Sequence, residues 1–373
     1  MKVRIHKLFQ SLLDAVDAEP EAVVGFSNAA PQRLGAFLDD LDPDLALDWN
    51  GRDFRGLPEL RGHVLRQAGL DRTCRPEDVL ITAGAAEANY LAIRQLVGPG
   101  DRVVTEGPGW PQVGVLTDAI GADLVTVRRR DEAGWVLPLD ALREAATPGT
   151  RLIFLSNPNN PTGRVFTPEE LAELVDIARG CGAWLLIDEV YAGLEWEGPR
   201  AASIAGLYEK GITTGSVSKA LGLQGLRTGW LICRDPQLVM DAVILRENSS
   251  EIMNIMGEVL AEIALRPERY DAAIAQARRD GAAHLEILDA FVAAQPGLSW
   301  HRPQAGLIGL GRLEAGEDGD AFAARLLKTP YRTFILPGSS YGENRHVRLG
   351  VGGGAEVNLR EGLDRMAALL AEW

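Results

Sequence analysis

Residues 151–191 read RLIFLSNPNNPTGRVFTPEELAELVDIARGCGAWLLIDEVY. Arg151-Leu-Ile-Phe-Leu155 is a short apolar run closed by turn residues, the pattern of a strand buried on both faces. Two Asn-Pro pairs follow and stop it. Thr167, with Pro168 next and Glu170 three residues on, marks a capped helix start, and the helix is expected to run from Pro168 to Arg179. Trp184-Leu-Leu-Ile187 is again a buried strand. Strand, helix and strand at this spacing are the repeating unit of a mostly parallel sheet covered by helices.

The same alternation extends outward on both sides. Val79–Thr82, Arg102–Thr105, Asp123–Val127, Gly211–Thr214 and Gly229–Cys233 read as further strands, and Ala86–Val97, Pro111–Ile120 and Leu139–Ala146 as helices. The expected fold is α/β, with a large domain over residues 45–255 built on a mostly parallel sheet flanked by helices. Past residue 255 the pattern changes to one long Ala-rich helical stretch over 256–293, then shorter strand candidates and a last helix, Leu359–Trp373. This predicts a smaller α+β domain over 256–373, joined by the N-terminal segment 1–44.

The chain has 373 residues, 46% hydrophobic and 24% charged, with 52 acidic and 38 basic residues and a formal charge of −14. That balance fits a globular protein and disfavours non-specific binding to nucleic acid or an anionic membrane. No run reaches about 18 apolar residues, so no spanning helix is expected, and the cytoplasm is the expected location. Cys74, Cys181 and Cys233 are odd in number and widely spaced, which points to reduced thiols. The five histidines are scattered without ligand spacing, so no metal site is expected. There are only five lysines, Lys2, Lys7, Lys210, Lys219 and Lys328. Chemistry that needs an amine nucleophile has few candidates.

Four signals carry chemistry. Thr82-Ala-Gly-Ala-Ala-Glu-Ala-Asn-Tyr90 runs from a strand end through Gly84 into a helix, where small residues let backbone amides approach an anion. Ser156-Asn-Pro-Asn-Asn-Pro-Thr-Gly163 is a stiff loop after a strand, able to turn side-chain amides into a cleft. In Leu186-Ile-Asp-Glu-Val-Tyr191, Asp188 closes an apolar strand and needs a partner there. In Ser216-Val-Ser-Lys-Ala-Leu-Gly-Leu-Gln-Gly-Leu-Arg227, Lys219 sits among serines and glycines with an arginine eight residues on. That pattern suits a desolvated amine nucleophile beside a phosphate site.

In order and spacing these motifs resemble the fold-type-I pyridoxal-phosphate enzymes, class I/II aminotransferases. Gly56-Leu-Pro-Glu-Leu-Arg61, Gly100-Asp-Arg-Val-Val104, Pro108-Gly-Trp-Pro111 and Pro337-Gly-Ser-Ser-Tyr341 with Arg348 extend the resemblance over about residues 50–350. It implies pyridoxal 5′-phosphate as cofactor, amino acid and 2-oxo acid as substrates, and a homodimer. It also implies site roles: Lys219 as Schiff-base lysine and proton shuttle, and Asp188 paired with the pyridine nitrogen. Tyr191 and Asn160 would bond the phenolic oxygen, with Asn160 also near substrate, and Trp110 would stack on the ring. Ser216, Ser218 and Arg227 would take the phosphate with the amides of Ala85 and Ala86, and Arg348 would hold the substrate α-carboxylate.

Two places depart from the family. The tyrosine that many members send to the neighbouring subunit's phosphate is replaced here by Gly51, with Trp49 or Phe54 near enough in sequence to fill the space. The aromatic position of the small domain reads Gln304-Ala-Gly-Leu-Ile-Gly309, which sets the expected substrate pocket apart. The same residues serve elimination and cyclisation, as in carbon–sulfur lyases or enzymes resembling capreomycidine synthase, and that alternative stays open beside transamination.

Overall fold

The computed structural model describes residues 2–48, 53–314, 318–352 and 356–373. In chain order the elements are α1 (Lys7–Ala18), β1 (Ala22–Val23), α2 (Pro58–Gln67), β2 (Val79–Thr82), α3 (Ala85–Leu96), β3 (Arg102–Gly107), α4 (Gln112–Ile120), β4 (Asp123–Arg128), α5 (Leu139–Ala145), β5 (Thr150–Ser156), α6 (Pro168–Cys181) and β6 (Trp184–Asp188). They continue with α7 (Ile204–Leu207), β7 (Gly211–Ser216), β8 (Gly229–Cys233), α8 (Pro236–Arg246), α9 (Ile255–Leu265), α10 (Pro267–Ala294), β9 (Leu298–Trp300), β10 (Ile308–Leu313), α11 (Gly319–Leu327), β11 (Thr333–Phe334), β12 (Leu336–Pro337), β13 (His346–Gly350) and α12 (Glu356–Glu372).

Seven strands form one sheet in the order β2-β8-β7-β6-β5-β3-β4, in which β8 alone runs antiparallel to its neighbours. Successive residues of one strand enter opposite layers, as strand geometry requires. Val103, Leu152, Phe154 and Leu186 pack with α3, α4 and α8. Val104, Ile153, Leu155, Leu185 and Ile187 pack with α5 and α6. With both faces covered, the strands read as continuous apolar runs. A second, antiparallel sheet, β12-β13-β10-β9, packs with α10, α11 and α12, and β1 pairs in parallel with β11.

One expected element is split. The stretch 256–293 forms two helices, α9 and α10, parted at Arg266, which is extended at ψ 138°. Pro267 is the cause: its ring bars the α conformation from the residue before it, and it starts the next helix well at the first position. Residues 22–28 follow the second sheet. Val24 N donates to Phe334 O at 3.0 Å, and Gly350 N donates to Val24 O at 2.8 Å. Ala29 N then donates to Lys219 O at 2.8 Å, which brings this segment to the carboxyl edge of the large sheet.

Candidate active site

The carboxyl ends of β5, β6 and β7 stop level with one another, with Ser156 paired to Asp188 and Asp188 to Thr214. Loops leave the sheet here, where open α/β sheets bind ligands. They enclose a cavity of about 410 Å³. Its lining includes all eleven residues singled out in the sequence: Ala85, Ala86, Trp110, Asn160, Asp188, Tyr191, Ser216, Ser218, Lys219, Arg227 and Arg348.

At one end α3 begins without a side-chain cap, so its first amides face outward as helix geometry leaves them. Gly84 sits at φ 83°, and a Cβ there would stand 2.5 Å from Arg227 Nη2. Gly229 lets β8 cross the helix start, since a Cβ on it would meet Ala85 N at 2.6 Å. Arg227, Ser216 and Ser218 complete a cationic, hydroxyl-rich corner that suits an anion.

The loop after β5 is sorted by its hydrogen bonds. Asn157 accepts from Phe166 N at 3.0 Å, and Asn159 accepts from the Thr162 hydroxyl at 2.7 Å, so both amides serve the loop itself. Asn160 lines the cavity, and its Oδ1 has no hydrogen-bond partner among the described residues. The loop is anchored from below by Glu106, which accepts from Ser156 N at 2.8 Å and pairs with buried Arg129 at 2.7 Å.

Two adjacent carboxylates close β6 and diverge. Glu189 turns from the cavity to Arg200 at 3.1 Å, Ile204 N and Thr213. Asp188 faces the cavity and accepts from Asn89 Nδ2 at 2.8 Å and Val190 N at 3.1 Å. Burial pushes its carboxyl above the usual carboxylate range, while those two donors and Lys219 pull the other way. Tyr191 is buried, and its hydroxyl, with Ser27 nearby, makes no hydrogen bond of ordinary geometry among the described residues. Burial also pushes that phenol up.

Lys219 Nζ is held by Asn28 Oδ1 at 2.9 Å and Ser27 Oγ at 3.2 Å, and stands 5.9 Å from the centre of the Tyr191 ring. Desolvation, helped by the positive charge of Arg348, lowers it to about 8. At that value about a tenth of the amine is unprotonated at pH 7, against well under a thousandth for a free lysine. Arg348, on β13, donates to the Tyr341 hydroxyl at 2.7 Å and to Gly25 O at 2.8 Å.

Sequence reasoning missed Ser27, Asn28 and Asn89. The first two meet Lys219 across about 190 residues of chain, so no local pattern marks them. Asn89 lay inside the quoted Thr82–Tyr90 stretch, and its signal was a polar amide on the apolar face of a helix. The pocket wall also differs from expectation. Leu307 and Ile308 are buried in the core around the second sheet and do not line the cavity. Leu8, Leu12, Phe26, Phe334 and Leu336 form that wall instead. Trp49 and Gly51 lie outside the described residues. Phe54 is exposed, and its carbonyl accepts from Arg246.

Among the described residues no group of three or more His, Cys, Asp or Glu could hold a metal ion, and no helix is long and apolar enough to cross a membrane. The donor set fits pyridoxal phosphate. The unpartnered Asn160 oxygen and Tyr191 hydroxyl, one carboxylate, one depressed lysine and a cationic helix start surround one cavity.

Sheet order and site together define a fold-type-I pyridoxal-phosphate enzyme. The family model described as aminotransferase class I and II matches residues 50–366, and the chain belongs to that family. It is 33% identical over 303 residues to the capreomycidine synthase of Streptomyces vinaceus, spanning 80% of this chain and 76% of that one. It is 29% identical over 344 residues to an arginine–pyruvate transaminase of Pseudomonas aeruginosa, spanning 89% and 85%. Among solved structures, a PLP-dependent aminotransferase from Streptococcus suis superposes with a TM-score of 0.91 at 26% identity, covering 100% of this chain and 99% of its own.

Proposed function

We propose that the chain is an aminotransferase that moves an amino group from an amino acid to a 2-oxo acid, with Lys219 as its Schiff-base lysine. The observation that carries this is the single cavity that holds Lys219, Asp188 and Arg348 together. Bound there, pyridoxal phosphate supplies an aldehyde that condenses with an amine and a protonated ring that takes up the electron pair left at Cα. Lys219 Nζ would carry a proton between Cα and the cofactor. Asp188 holds the proton on the ring nitrogen. The Asn160 amide N–H and the Tyr191 hydroxyl would donate to the phenolic oxygen, Trp110 would cover one ring face, and Ser216, Ser218, Arg227 and the amides of Ala85 and Ala86 would hold the phosphate.

Arg348 is the proposed clamp for the substrate α-carboxylate, a planar fork matched to two oxygens. That contact is present from ground state through transition state. Arg348→Ala is expected to raise KM for the amino donor by about 2–5 kcal/mol with a nearly unchanged cofactor spectrum. A variant that binds the donor as tightly as wild type removes Arg348 from this role. The test of the whole reading is one half-reaction. Without a 2-oxo acid, a donor should yield one oxo acid per site and no ammonia, and an added 2-oxo acid should then restore the starting spectrum.

A second reading has a specific support. The Streptomyces vinaceus relative is a capreomycidine synthase, and elimination or cyclisation would use the same lysine, ring and clamp. Ammonia or a β-substituent released without an acceptor favours that reading, including a carbon–sulfur lyase.

We also propose the division into residues 45–255 and 256–373 with 1–44, a cytoplasmic location, no nucleic-acid or membrane partner, and a homodimer. Closed two-fold assembly is the commonest form, and the segment 49–55 is the one proposed to face the partner's cofactor. Sedimentation at micromolar concentration should give twice the 40.3 kDa chain mass. A fully active monomer overturns the dimer.

A further inference from the structure

Asn89 lies in the interior of α3, five residues past Gly84, and is fully buried. A buried amide is costly unless both ends are bonded, and here both are. Its Nδ2 donates to Asp188 Oδ2 at 2.8 Å, and its Oδ1 accepts from the Thr214 hydroxyl at 2.7 Å. A carboxylate at one end leaves only one sensible orientation, with the NH₂ toward Asp188. The same Nδ2 stands 3.4 Å from Gln112 Oε1, which accepts from Trp110 Nε1 at 3.1 Å. Gln112 Nε2 in turn donates to Ala86 O at 2.7 Å. One buried amide thus joins β7, the end of β6 and the tryptophan wall.

We propose that Asn89 is the positioning residue that supports the Asp188 carboxylate and aims it at the pyridine nitrogen of the cofactor. The inference rests on the reading of Asp188 given above. Among the described residues Asp188 has two hydrogen-bond donors, Asn89 and the Val190 amide, which lies on its own turn. Lys219 and Tyr191 are the titratable groups that face it from the neighbouring loops. Without the amide, one oxygen of a buried carboxylate loses its donor. The carboxyl then favours its protonated form and is loose to turn, and both changes weaken its hold on a ring N–H.

The test compares pyridoxal phosphate with 1-deazapyridoxal phosphate, in which carbon replaces the ring nitrogen, as ligands of the full chain. Asn89→Leu is expected to weaken binding of pyridoxal phosphate by about 10- to 100-fold, with little change for the deaza analogue. Equal losses for both ligands would show a merely structural role and overturn the proposal, as would no loss for either. Asn89→Asp covers the case in which the leucine variant does not fold. At low pH the introduced carboxyl is protonated and still donates to Asp188. As pH rises the two carboxylates oppose each other, so affinity for pyridoxal phosphate should fall more steeply than in wild type. Identical pH profiles overturn the proposal. Asp188→Ala, measured with the same two ligands, separates the failures. If it too fails to discriminate them, the reading of Asp188 falls. If it discriminates and Asn89→Leu does not, only the present inference falls.

Discussion

Lys219→Ala is expected to lose the borohydride-reducible link to pyridoxal phosphate and to slow turnover by about 10⁴-fold or more. Lys219 is the one lysine among the described residues that lines the cavity. Lys210 donates to Gly182 O at 2.9 Å on the far side of the sheet, Lys7 pairs with Asp320, and Lys2 and Lys328 are exposed. None of them lines the cavity. A covalent adduct that persists in the variant, measured by mass after reduction, would reassign the nucleophile.

Removing the Lys219 charge while keeping its stem has an opposite effect on stability. Lys219 is buried, and its amine is lowered from 10.5 to about 8. Between those values the unfolded chain binds more protons than the folded one, so stability rises with pH across the window. Below about pH 8 the full cost of holding a charge in the cavity remains, on the order of 3 kcal/mol. Lys219→Met keeps the apolar stem and removes the charge. The cofactor-free variant should therefore melt above wild type at pH 7, and the gap should close as pH approaches 10. Equal melting curves at both pH values would mean that the amine is not desolvated in the folded protein. An amine strained in this way is the ordinary cost of a nucleophile poised near neutrality.

Much of this site was legible because its residues sit at strand ends and helix starts. Asp188 closes an apolar strand, Gly84 precedes a helix, and Lys219 follows a strand among serines. Such punctuation is local, and the open α/β sheet collects it at one edge. What stayed hidden is what depends on tertiary contact. Ser27 and Asn28 reach Lys219 only because β1 is carried by β11 and the following residues by β13. Leu8 and Leu12 wall the pocket from a helix near the N-terminus, whereas the stretch at Leu307-Ile308, which reads like a pocket, is core. Apolar residues look the same in both places, and only packing decides. The break at Pro267 was legible and was missed because the alanine-rich pattern on either side hides it.

Asp188→Ala is expected to slow the chemical step by about 10³-fold, roughly 4 kcal/mol of transition-state stabilisation, and to weaken cofactor retention. Asp188 is the one acidic residue among the described residues of the cavity lining. On the proposed reading the carboxylate would matter more in the transition state, where the ring takes up charge, than at rest, so its loss is expected in kcat. Arg348, by contrast, is proposed to hold a carboxylate whose charge does not change, so its loss is expected in KM. Asp188→Asn divides the two functions of the carboxylate. The amide keeps the shape and can still bond Asn89 or Val190, so the variant should retain the cofactor better than the alanine variant. It carries no charge to hold a proton on the ring nitrogen, so its chemical step should remain nearly as slow. Stopped-flow spectra with a good donor resolve binding from the chemical step in each variant. If Asp188→Ala slows that step by less than tenfold, the ring nitrogen does not rely on this carboxylate. A variant Asp188→Asn as fast as wild type would show that shape rather than charge is what β6 supplies.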